Sequence, residues 1–317
     1  MAFGVIRKVT KQYIGLWFIS LYTTPFRHAY ATFKKTPRNM ASSSTRVILP
    51  PSLSLRAFRR GITDLAAYRD LLLSLSQHRV RVRYKQSALG MAWAVLQPLA
   101  LMFIYTILFS VVTKVPSSGL PYPVFVFCAL LPWTFFSTAV GNSAASLTNH
   151  RELISKVFFP REILPLTYVI AAVFDFLIAG LILAGMMVYY RVPVGLSILW
   201  VLPIMTVATI FVTGLSLLFS ALQVRLRDIS LAMPLLMQIW MFASPVVYPL
   251  DSVPVRYREL YLLNPMAGVI ENFRRSVLGQ QPVDTHSLAI AAAVSVVTFL
   301  GSYLLFKHQE STMADVI

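Results

Sequence analysis

Residues 79–98 read RVRVRYKQSALGMAWAVLQP, and this stretch places four cations directly before a long apolar segment. After Lys85 the sequence carries no charged side chain until Lys114. Positive charge at the start of an apolar run is typical of the cytoplasmic boundary of a transmembrane helix. The alternative is a solvated basic loop beside a buried helix of a soluble protein, and the composition of the whole chain decides between the two.

The composition is that of an integral membrane protein. The 317 residues are 57% hydrophobic and 13% charged, with a mean hydropathy of +0.68, whereas a soluble domain carries about 25% charged residues. Each of six nearly charge-free runs can cross a hydrocarbon core about 30 Å thick as a helix, and lipid excludes open strands. The runs are 91–113, 122–149, 163–190, 192–224, 229–250 and 287–306. The predicted fold class is therefore all-α integral membrane with six transmembrane helices.

Positive charge is concentrated before the first apolar run. Residues 1–90 contain 16 of the 28 Lys and Arg residues and only two acids, Asp64 and Asp70. Because cytoplasmic segments beside spans are enriched in Lys and Arg, and six spans return the chain to the same side, both termini are predicted to be cytoplasmic. The net charge of +16 is assigned to this topology and to contact with membrane lipids. No nucleic-acid partner is expected, since no nucleic-acid-binding motif accompanies the cations.

The chain divides into four segments. Residues 1–53 are a basic N-terminal extension, whose apolar stretch 13–22 is not followed by the cleavage site of a signal peptide. An in-plane anchor and a disordered arm both stay open for it. Residues 54–90 are predicted to form an interfacial helix and a basic gate loop, residues 91–310 the six-span domain, and residues 311–317 a cytoplasmic tail.

The interfacial helix is predicted from apolar residues at helical spacing. Leu65, Tyr68, Leu72 and Leu75 recur every three or four residues, while polar side chains occupy the other faces. This helix is too polar to span, so a position in the plane of the membrane fits it best. A solvated cytoplasmic helix is the alternative.

The long link between the fifth and sixth runs, residues 251–286, differs from the short links elsewhere. Residues 266–278 form a second amphipathic stretch, with short non-spanning helices expected in this outer loop and with Ile270, Phe273 and Val277 on the apolar face. Pro245 lies where the fifth run should still be in the membrane, so that helix is predicted to kink or end early. Irregular backbone at membrane depth is tolerated where it is buried or lines a cavity, which makes this region a candidate pathway element.

The residues for enzymatic chemistry are missing from the sequence. Asp175 is the one carboxylate within the six runs; a functional charge is one hypothesis for it, and an interhelical hydrogen bond is the favoured alternative. The five histidines lack metal-ligand spacing, so no metal site is predicted. The phosphate-binding pattern G-x-x-x-x-G-K-[ST] is absent. A transporter driven by ATP would therefore need a separate ATPase subunit.

Two short inside loops are candidates for contact with such a subunit. Residues 149–165 read NHRELISKVFFPREILP, and residues 223–228 read QVRLRD. Charge that only sets the topology is the alternative for both. Phe158 and Phe159, flanked by charge, would suit docking into a groove of a partner.

Several motifs stand together in one order from about residue 62 to residue 307. They are YRDL (68–71), RYK (83–85), LG (89–90), Trp93, QP (97–98), LPW (131–133), KVFFPRE (156–162), LP (164–165), FDF (174–176), RD (227–228), SPVVYP (244–249), NP (264–265) and Arg274. In this order and spacing the chain resembles the permease subunits of polysaccharide ABC exporters, a type-2 exporter family for O-antigen, capsule and teichoic-acid polymers. The first sixty residues depart from that family.

The resemblance implies a homodimer that works beside two copies of an ABC ATPase in the bacterial inner membrane. The expected substrate is a lipid-linked polysaccharide, carried on a polyprenyl diphosphate and moved from the cytoplasm to the outer leaflet. The chain itself is expected to bind no cofactor, while ATP and Mg²⁺ bind to the partner ATPase.

Three sets of site residues follow from this interpretation. Cations at the inner boundary would receive the diphosphate head group: Arg79, Arg81, Arg83 and Lys85, with Tyr84. Sugars pack on aromatic faces, so the proposed pathway residues are Trp93, Tyr105, Trp133, Phe135, Phe136, Trp240, Phe242 and Tyr248. For any single aromatic, packing or an interfacial belt is the alternative. The proposed ATPase-coupling residues are Arg151, Glu152, Lys156, Phe158, Phe159, Arg161, Glu162, Arg227 and Asp228.

Two other classes of protein compete with the exporter. A membrane glycosyltransferase or phosphatase acting on polyprenyl-linked glycans would need paired acids or a nucleophile in a loop, and the sequence offers neither. A channel or secondary transporter would be expected to carry more intramembrane polar residues or an inverted repeat.

Overall fold

The computed structural model describes residues 61, 63–85, 92–112, 120–279 and 281–316. The predicted extension, residues 1–53, lies outside the described residues, and so do residues 86–91 between the basic run and the first apolar run. The described residues form α-helices joined by turns and by short 3-10 or π-helical segments, and none of them lies in a strand. The all-α class is confirmed for this part of the chain.

The principal helices are numbered here in chain order. They are α1 (Arg69–Lys85), α2 (Trp93–Tyr105), α3 (Tyr122–Ala144), α4 (Arg151–Lys156), α5 (Ile163–Tyr189), α6 (Val201–Arg225), α7 (Ile229–Phe242), α8 (Val255–Leu262), α9 (Pro265–Leu278) and α10 (Thr285–Val316).

Four helices of the described chain are long and apolar enough to cross a membrane. They are α3, α5, α6 with the turn that precedes it from Leu196, and the part of α10 up to Glu310. They coincide with the second, third, fourth and sixth apolar runs. The first and fifth runs form shorter apolar helices, within residues 95–109 and at Ile229–Phe242. The chain therefore has several candidate spans, and the count of six stays a prediction.

The two shorter runs depart from regular α-helix in different ways. Helix α2 passes into a π-helical segment, Thr106–Val112. Helix α7 ends at Phe242, before Pro245, which confirms the early end predicted for the fifth run. Proline has no N–H to donate and its ring clashes with the preceding turn, so the helix cannot continue through this segment.

The basic run is helical, and the prediction of a basic gate loop is wrong for residues 79–85. These residues complete α1, which carries Asp70 in its first turn and Arg83 and Lys85 in its last turn. This distribution of charge complements the helix dipole. The predicted apolar face is confirmed, because Leu65, Tyr68, Leu72 and Leu75 are half-buried against one apolar cluster. Leu65 and Tyr68 lie just before α1, and Leu72 and Leu75 lie within it.

Helix α3 is the centre of the larger core. It is apolar on nearly all faces, so it is buried most completely when other helices surround it. It packs against α2, α5, α6, α7 and α9, and side chains such as Phe125, Phe127, Leu130 and Leu131 are almost fully buried. Helix α3 therefore has packing neighbours on several of its faces.

Helices α6 and α10 approach each other closely at Gly214. A Cβ atom placed on Gly214 would lie 2.8 Å from the Cα atom of Phe299. Small residues permit such close backbone packing between membrane helices. The position therefore requires glycine.

Helix α9, from the predicted outer loop, lies in the core. Asn264 caps its start by accepting the N–H of Met266 at 3.1 Å, and Gly279 ends it with a φ of 65°. The predicted apolar residues Ile270, Phe273 and Val277 are buried. Burial extends to the polar face as well, because Arg274 donates to Glu271 at 3.0 Å and to the Pro245 carbonyl at 2.9 Å.

Candidate functional site

A cavity of about 650 Å³ lies between α2, α3, α5 and α7, with the end of α1 at its wall. Its aromatic lining comes from Trp93, Trp133, Phe135 and Phe176. Its polar lining comes from Arg83, Gln97, Thr134, Ser137, Thr138, Asn142, Asp175 and Ser230. A space with flat aromatic faces and many hydroxyl and amide groups suits a solute that is both polar and able to stack.

A stripe of polar residues on α3 forms one side of the cavity. Ser137 and Thr138 follow Thr134 by three and four residues, and Asn142 follows Thr138 by four, so these residues share one face of the helix. They are half-buried or exposed, in contrast to the buried residues on the other faces of α3. This stripe was not predicted from the sequence, although polar residues at helical spacing within an apolar run were a signal for it.

An ion pair joins α1 to α5 at the cavity. The guanidinium group of Arg83 donates to the Oδ2 atom of Asp175, and their side chains are 35% and 19% exposed. Asp175 lies near the midpoint of the 27-residue α5, about 18 Å along the axis from its first residue at 1.5 Å per residue. Asp175 therefore bonds to a neighbouring helix, as the favoured alternative held, and its partner is a cation of the basic run.

The other cations of the run differ in their surroundings. Arg79 is held against α5: its Nε atom donates to Thr167 Oγ1 at 3.1 Å, and its guanidinium carbon lies 3.2 Å from the centre of the Tyr168 ring. Arg81 is exposed and makes no hydrogen bond or ion pair within the described part of the chain. Lys85 is exposed as well. The side chain of Tyr84 lies outside the described structure.

His150 extends the contact at Arg79. Its Nδ1 atom donates to the Ser146 carbonyl at 2.8 Å, and its Nε2 atom lies 3.5 Å from an Nη atom of Arg79. Burial lowers the pKa of His150, and the positive charge of Arg79 acts in the same direction, while the bond to Ser146 opposes both. These effects together favour the neutral imidazole, and His150 connects α1 to the start of the 149–165 loop.

Three of the eight predicted pathway aromatics, Trp93, Trp133 and Phe135, line the cavity. The prediction is wrong for Phe136, which is fully buried and stacks on Phe211 at 5.8 Å between ring centres. A side chain without exposed surface cannot contact a solute.

The remaining predicted aromatics lie elsewhere than on the cavity wall. Trp240 donates to Asn264 at 3.0 Å and faces a separate apolar crevice. Tyr105 donates to the sulfur of Met241 at 3.4 Å, and Tyr248 forms a hydrogen bond with Tyr261 at 2.5 Å. Phe242 is exposed.

Comparison with known proteins assigns the chain to a family. Residues 70–278 match the ABC-2 type transporter family. The chain belongs to this family. Its resemblance to the permeases of polysaccharide exporters is confirmed, and the chain is the transmembrane subunit of a transporter rather than an enzyme.

Curated relatives of this ABC-2 chain include the O-antigen export system permease protein RfbA of Myxococcus xanthus. It is 33% identical over 262 residues, which cover 81% of this chain and 99% of the relative. A Klebsiella pneumoniae protein of the same name is 31% identical over 206 residues, 65% of this chain and 79% of its own. The polysialic acid transport protein KpsM of Escherichia coli is 26% identical over 252 residues, 76% of this chain and 93% of its own.

The 149–165 loop of the ABC-2 chain exposes one aromatic residue of its pair. Phe158 is 82% exposed, whereas Phe159 is 4% exposed and belongs to the buried cluster that contains Leu147 and Leu164. The prediction of an exposed pair is therefore wrong for Phe159. Arg151, Glu152 and Lys156 are exposed on α4.

Two other predicted coupling residues face the last helix. The guanidinium group of Arg161 donates to the backbone carbonyl of Glu310, and Glu162, which is buried, pairs with Lys307. Lys307 also bonds to Glu310 at 2.8 Å. These contacts attach the 149–165 loop to α10. Arg227 and Asp228 are exposed between α6 and α7.

The described residues hold no group of three or more His, Cys, Asp or Glu side chains placed to bind a metal ion. The chemistry of this site consists of hydrogen bonding, aromatic packing and one accessible ion pair. Groups of this kind can bind a polar solute.

Proposed function

We propose that the chain is the permease subunit of an ATP-driven exporter that moves a lipid-linked polysaccharide out of the bacterial cytoplasm. In this proposal it spans the inner membrane six times with both termini in the cytoplasm. It works as a homodimer beside two copies of a separate ABC ATPase, which binds the ATP and Mg²⁺. The observation that carries the proposal is the polar and aromatic cavity between α2, α3, α5 and α7.

The polar and the aromatic linings of the cavity match the hydroxyl groups and the apolar ring faces of a sugar. Hydroxyl groups exchange hydrogen bonds with Thr134, Ser137, Thr138 and Asn142, and the apolar faces of the rings pack on the aromatic wall. A solute that keeps its hydrogen bonds during passage avoids the cost of several kcal/mol for an unsatisfied polar group in an apolar medium. Relatives named for O-antigen and polysialic acid transport support a polysaccharide as the solute.

In this proposal the cations at the end of α1 bind the diphosphate, which is the anionic end of the substrate. Arg81 is exposed and Arg83 reaches the cavity wall. A polyprenyl diphosphate presents oxygens that an arginine can bind in bidentate fashion. The proposed order is recognition of the diphosphate at α1, followed by movement of the glycan along the cavity.

The ATPase is proposed to dock on the loop that contains α4. Phe158 projects from this loop with 82% of its surface exposed and has Lys156 and Arg161 nearby in sequence. Aromatic side chains, Phe among them, are enriched in the interfaces between proteins. The contacts of Arg161 and Glu162 with α10 would carry movement from this loop into the last helix.

The test is transport by the purified chain with its ATPase in proteoliposomes, using a radiolabelled glycan on polyprenyl diphosphate. The wild type should move the label to the side where glycosidase can digest it, and only with ATP. Thr138→Trp, which fills the cavity, should abolish transport. Val297→Trp is the matched control, since Val297 is 70% exposed on α10, and it should transport normally. Equal transport by both variants would refute the cavity as the pathway.

A further inference from the structure

The Arg83–Asp175 pair has an unusual position for an ion pair in a membrane protein. It joins the last turn of α1 to the middle of α5, and both residues line the 650 Å³ cavity. An unpaired carboxylate at this depth would be costly. Arg83 compensates the charge of Asp175 and thereby holds the end of α1 against α5.

A second ion pair in the same chain shows what a purely structural pair looks like. Arg274 and Glu271 are 6% and 8% exposed, and two backbone carbonyls also accept from Arg274. Arg83 and Asp175, by contrast, are 35% and 19% exposed, on the wall of a cavity. A solute inside the cavity can therefore reach the accessible pair, whereas it cannot reach the buried one.

An anion in the cavity would compete with Asp175 for Arg83. A diphosphate offers more negative charge than one carboxylate and the same bidentate geometry towards a guanidinium group. A neutral lipid has no group that could make this exchange.

We propose that Asp175 is an internal competitor for the substrate's diphosphate, so that the Arg83–Asp175 pair is a latch which the head group opens. The proposal rests on the proposed function, because it takes the anion to be the head group of the exported lipid. It assigns to Asp175 a specificity-determining role instead of a purely structural one.

The geometry restricts the movement to the end of α1. Arg79, one turn before Arg83, stays attached to α5 through Thr167 and Tyr168. Release of Arg83 would therefore free only the last turns of α1, at the wall of the cavity. Because a closed latch reduces the fraction of chains able to bind, it also weakens the apparent affinity for substrate.

The experiment uses the complex of the chain and its ATPase in nanodiscs of neutral phosphatidylcholine. ATP hydrolysis is measured against the concentration of a glycan linked to polyprenyl diphosphate. Asp175→Asn should lower the half-saturating concentration about tenfold, which corresponds to a competing interaction of about 1.4 kcal/mol. It should also raise hydrolysis without substrate. Asp175→Glu, which keeps the competing charge, should stay near the wild type.

Arg83 provides the decisive control. Arg83→Gln should raise the half-saturating concentration, and adding Asp175→Asn to it should change nothing further, because the competitor then has nothing to compete for. Asp70→Asn is the matched control, since Asp70 is exposed at the start of the same helix, and it should behave as the wild type. Inorganic pyrophosphate should compete with the glycan lipid in the wild type.

The outcomes separate the latch from the proposed function. Absence of any response of the wild type to the glycan lipid would overturn the proposed function and the latch with it. A wild-type response that Asp175→Asn leaves unchanged, or shifts equally with and without Arg83, would overturn the latch alone. Equal stimulation by discs of phosphatidylglycerol would overturn the assignment to a diphosphate head group.

Discussion

Phe158 and Phe159 are adjacent in sequence, but the side chain of Phe158 is exposed and that of Phe159 is buried. The Phe158 side chain is 82% exposed, and the Phe159 side chain is 4% exposed. Helix α4 ends at Lys156 and the backbone at Val157 is extended, so the pair lies beyond the end of the helix. One residue is available to a partner, while the other holds the 149–165 loop to the helices beneath it.

This relationship predicts different results for the two single substitutions. Phe158→Ser should leave thermal stability unchanged and reduce co-purification of the ATPase at least tenfold, since hot-spot residues contribute about 2 kcal/mol or more. Phe159→Ser should lower the stability of the chain alone, because truncating a buried Phe costs about 3–5 kcal/mol. Thermal unfolding in detergent and affinity co-purification measure the two effects. The assignment fails if Phe158→Ser retains full assembly with the ATPase.

Arg79 and Arg81 lie two residues apart on α1, and their substitutions are also predicted to have different effects, one on stability and one on substrate binding. Arg79→Gln should lower thermal stability, because Arg79 bonds to Thr167 and stacks on Tyr168. Arg81→Gln should leave stability unchanged and raise the half-saturating concentration of the anionic glycan lipid. A loss of one charge-assisted hydrogen bond of about 1.5–3 kcal/mol predicts a shift of tenfold or more. An unchanged half-saturation in Arg81→Gln would limit this cation to a topological role.

The buried carboxylate of Glu162 is predicted to depend on Lys307. Lys307→Met should destabilise the chain by about 3–5 kcal/mol, because it leaves a charge buried without its partner. The double variant Glu162→Gln with Lys307→Met should recover most of that loss. Arg256→Gln serves as a control for removal of a cation that has no ion pair among the described residues. If single and double variants unfold at the same temperature, the pair does not stabilise this junction.

His150 predicts a dependence of stability on pH. Its pKa is lowered in the folded chain by burial and by Arg79, so the folded state binds fewer protons than the unfolded state. The free energy of unfolding then has its full value at pH values above about 6.5, the pKa of a histidine in the unfolded chain. It decreases as the pH falls below that value. The thermal unfolding temperature of the wild type should drop between pH 7.5 and pH 5.5, and the drop should be smaller in His150→Gln. An equal drop in both chains would exclude His150 as the cause.

Much of the fold was readable from the sequence because its signals are local. Apolar runs of sufficient length predicted α3, α5, α6 and α10, and Pro245 predicted the early end of α7. The spacing of apolar residues predicted the buried faces of α1 and α9. The order of the motifs predicted the family. Each of these depends on the neighbouring residues along the chain or on the hydrocarbon thickness.

The site required the tertiary structure because it depends on contacts between helices distant in sequence. Charge alone could not distinguish Arg79, held by Tyr168, from Arg81, which is exposed, nor could it pair Arg83 with Asp175, 92 residues away. Aromatic character alone could not separate Phe135, on the cavity wall, from Phe136, which is fully buried. Sequence determined which helices this protein forms, since hydrophobicity and backbone hydrogen bonding act locally. Packing decided which side chains line the cavity, since each helix has several faces and only its neighbours determine which of them stays open.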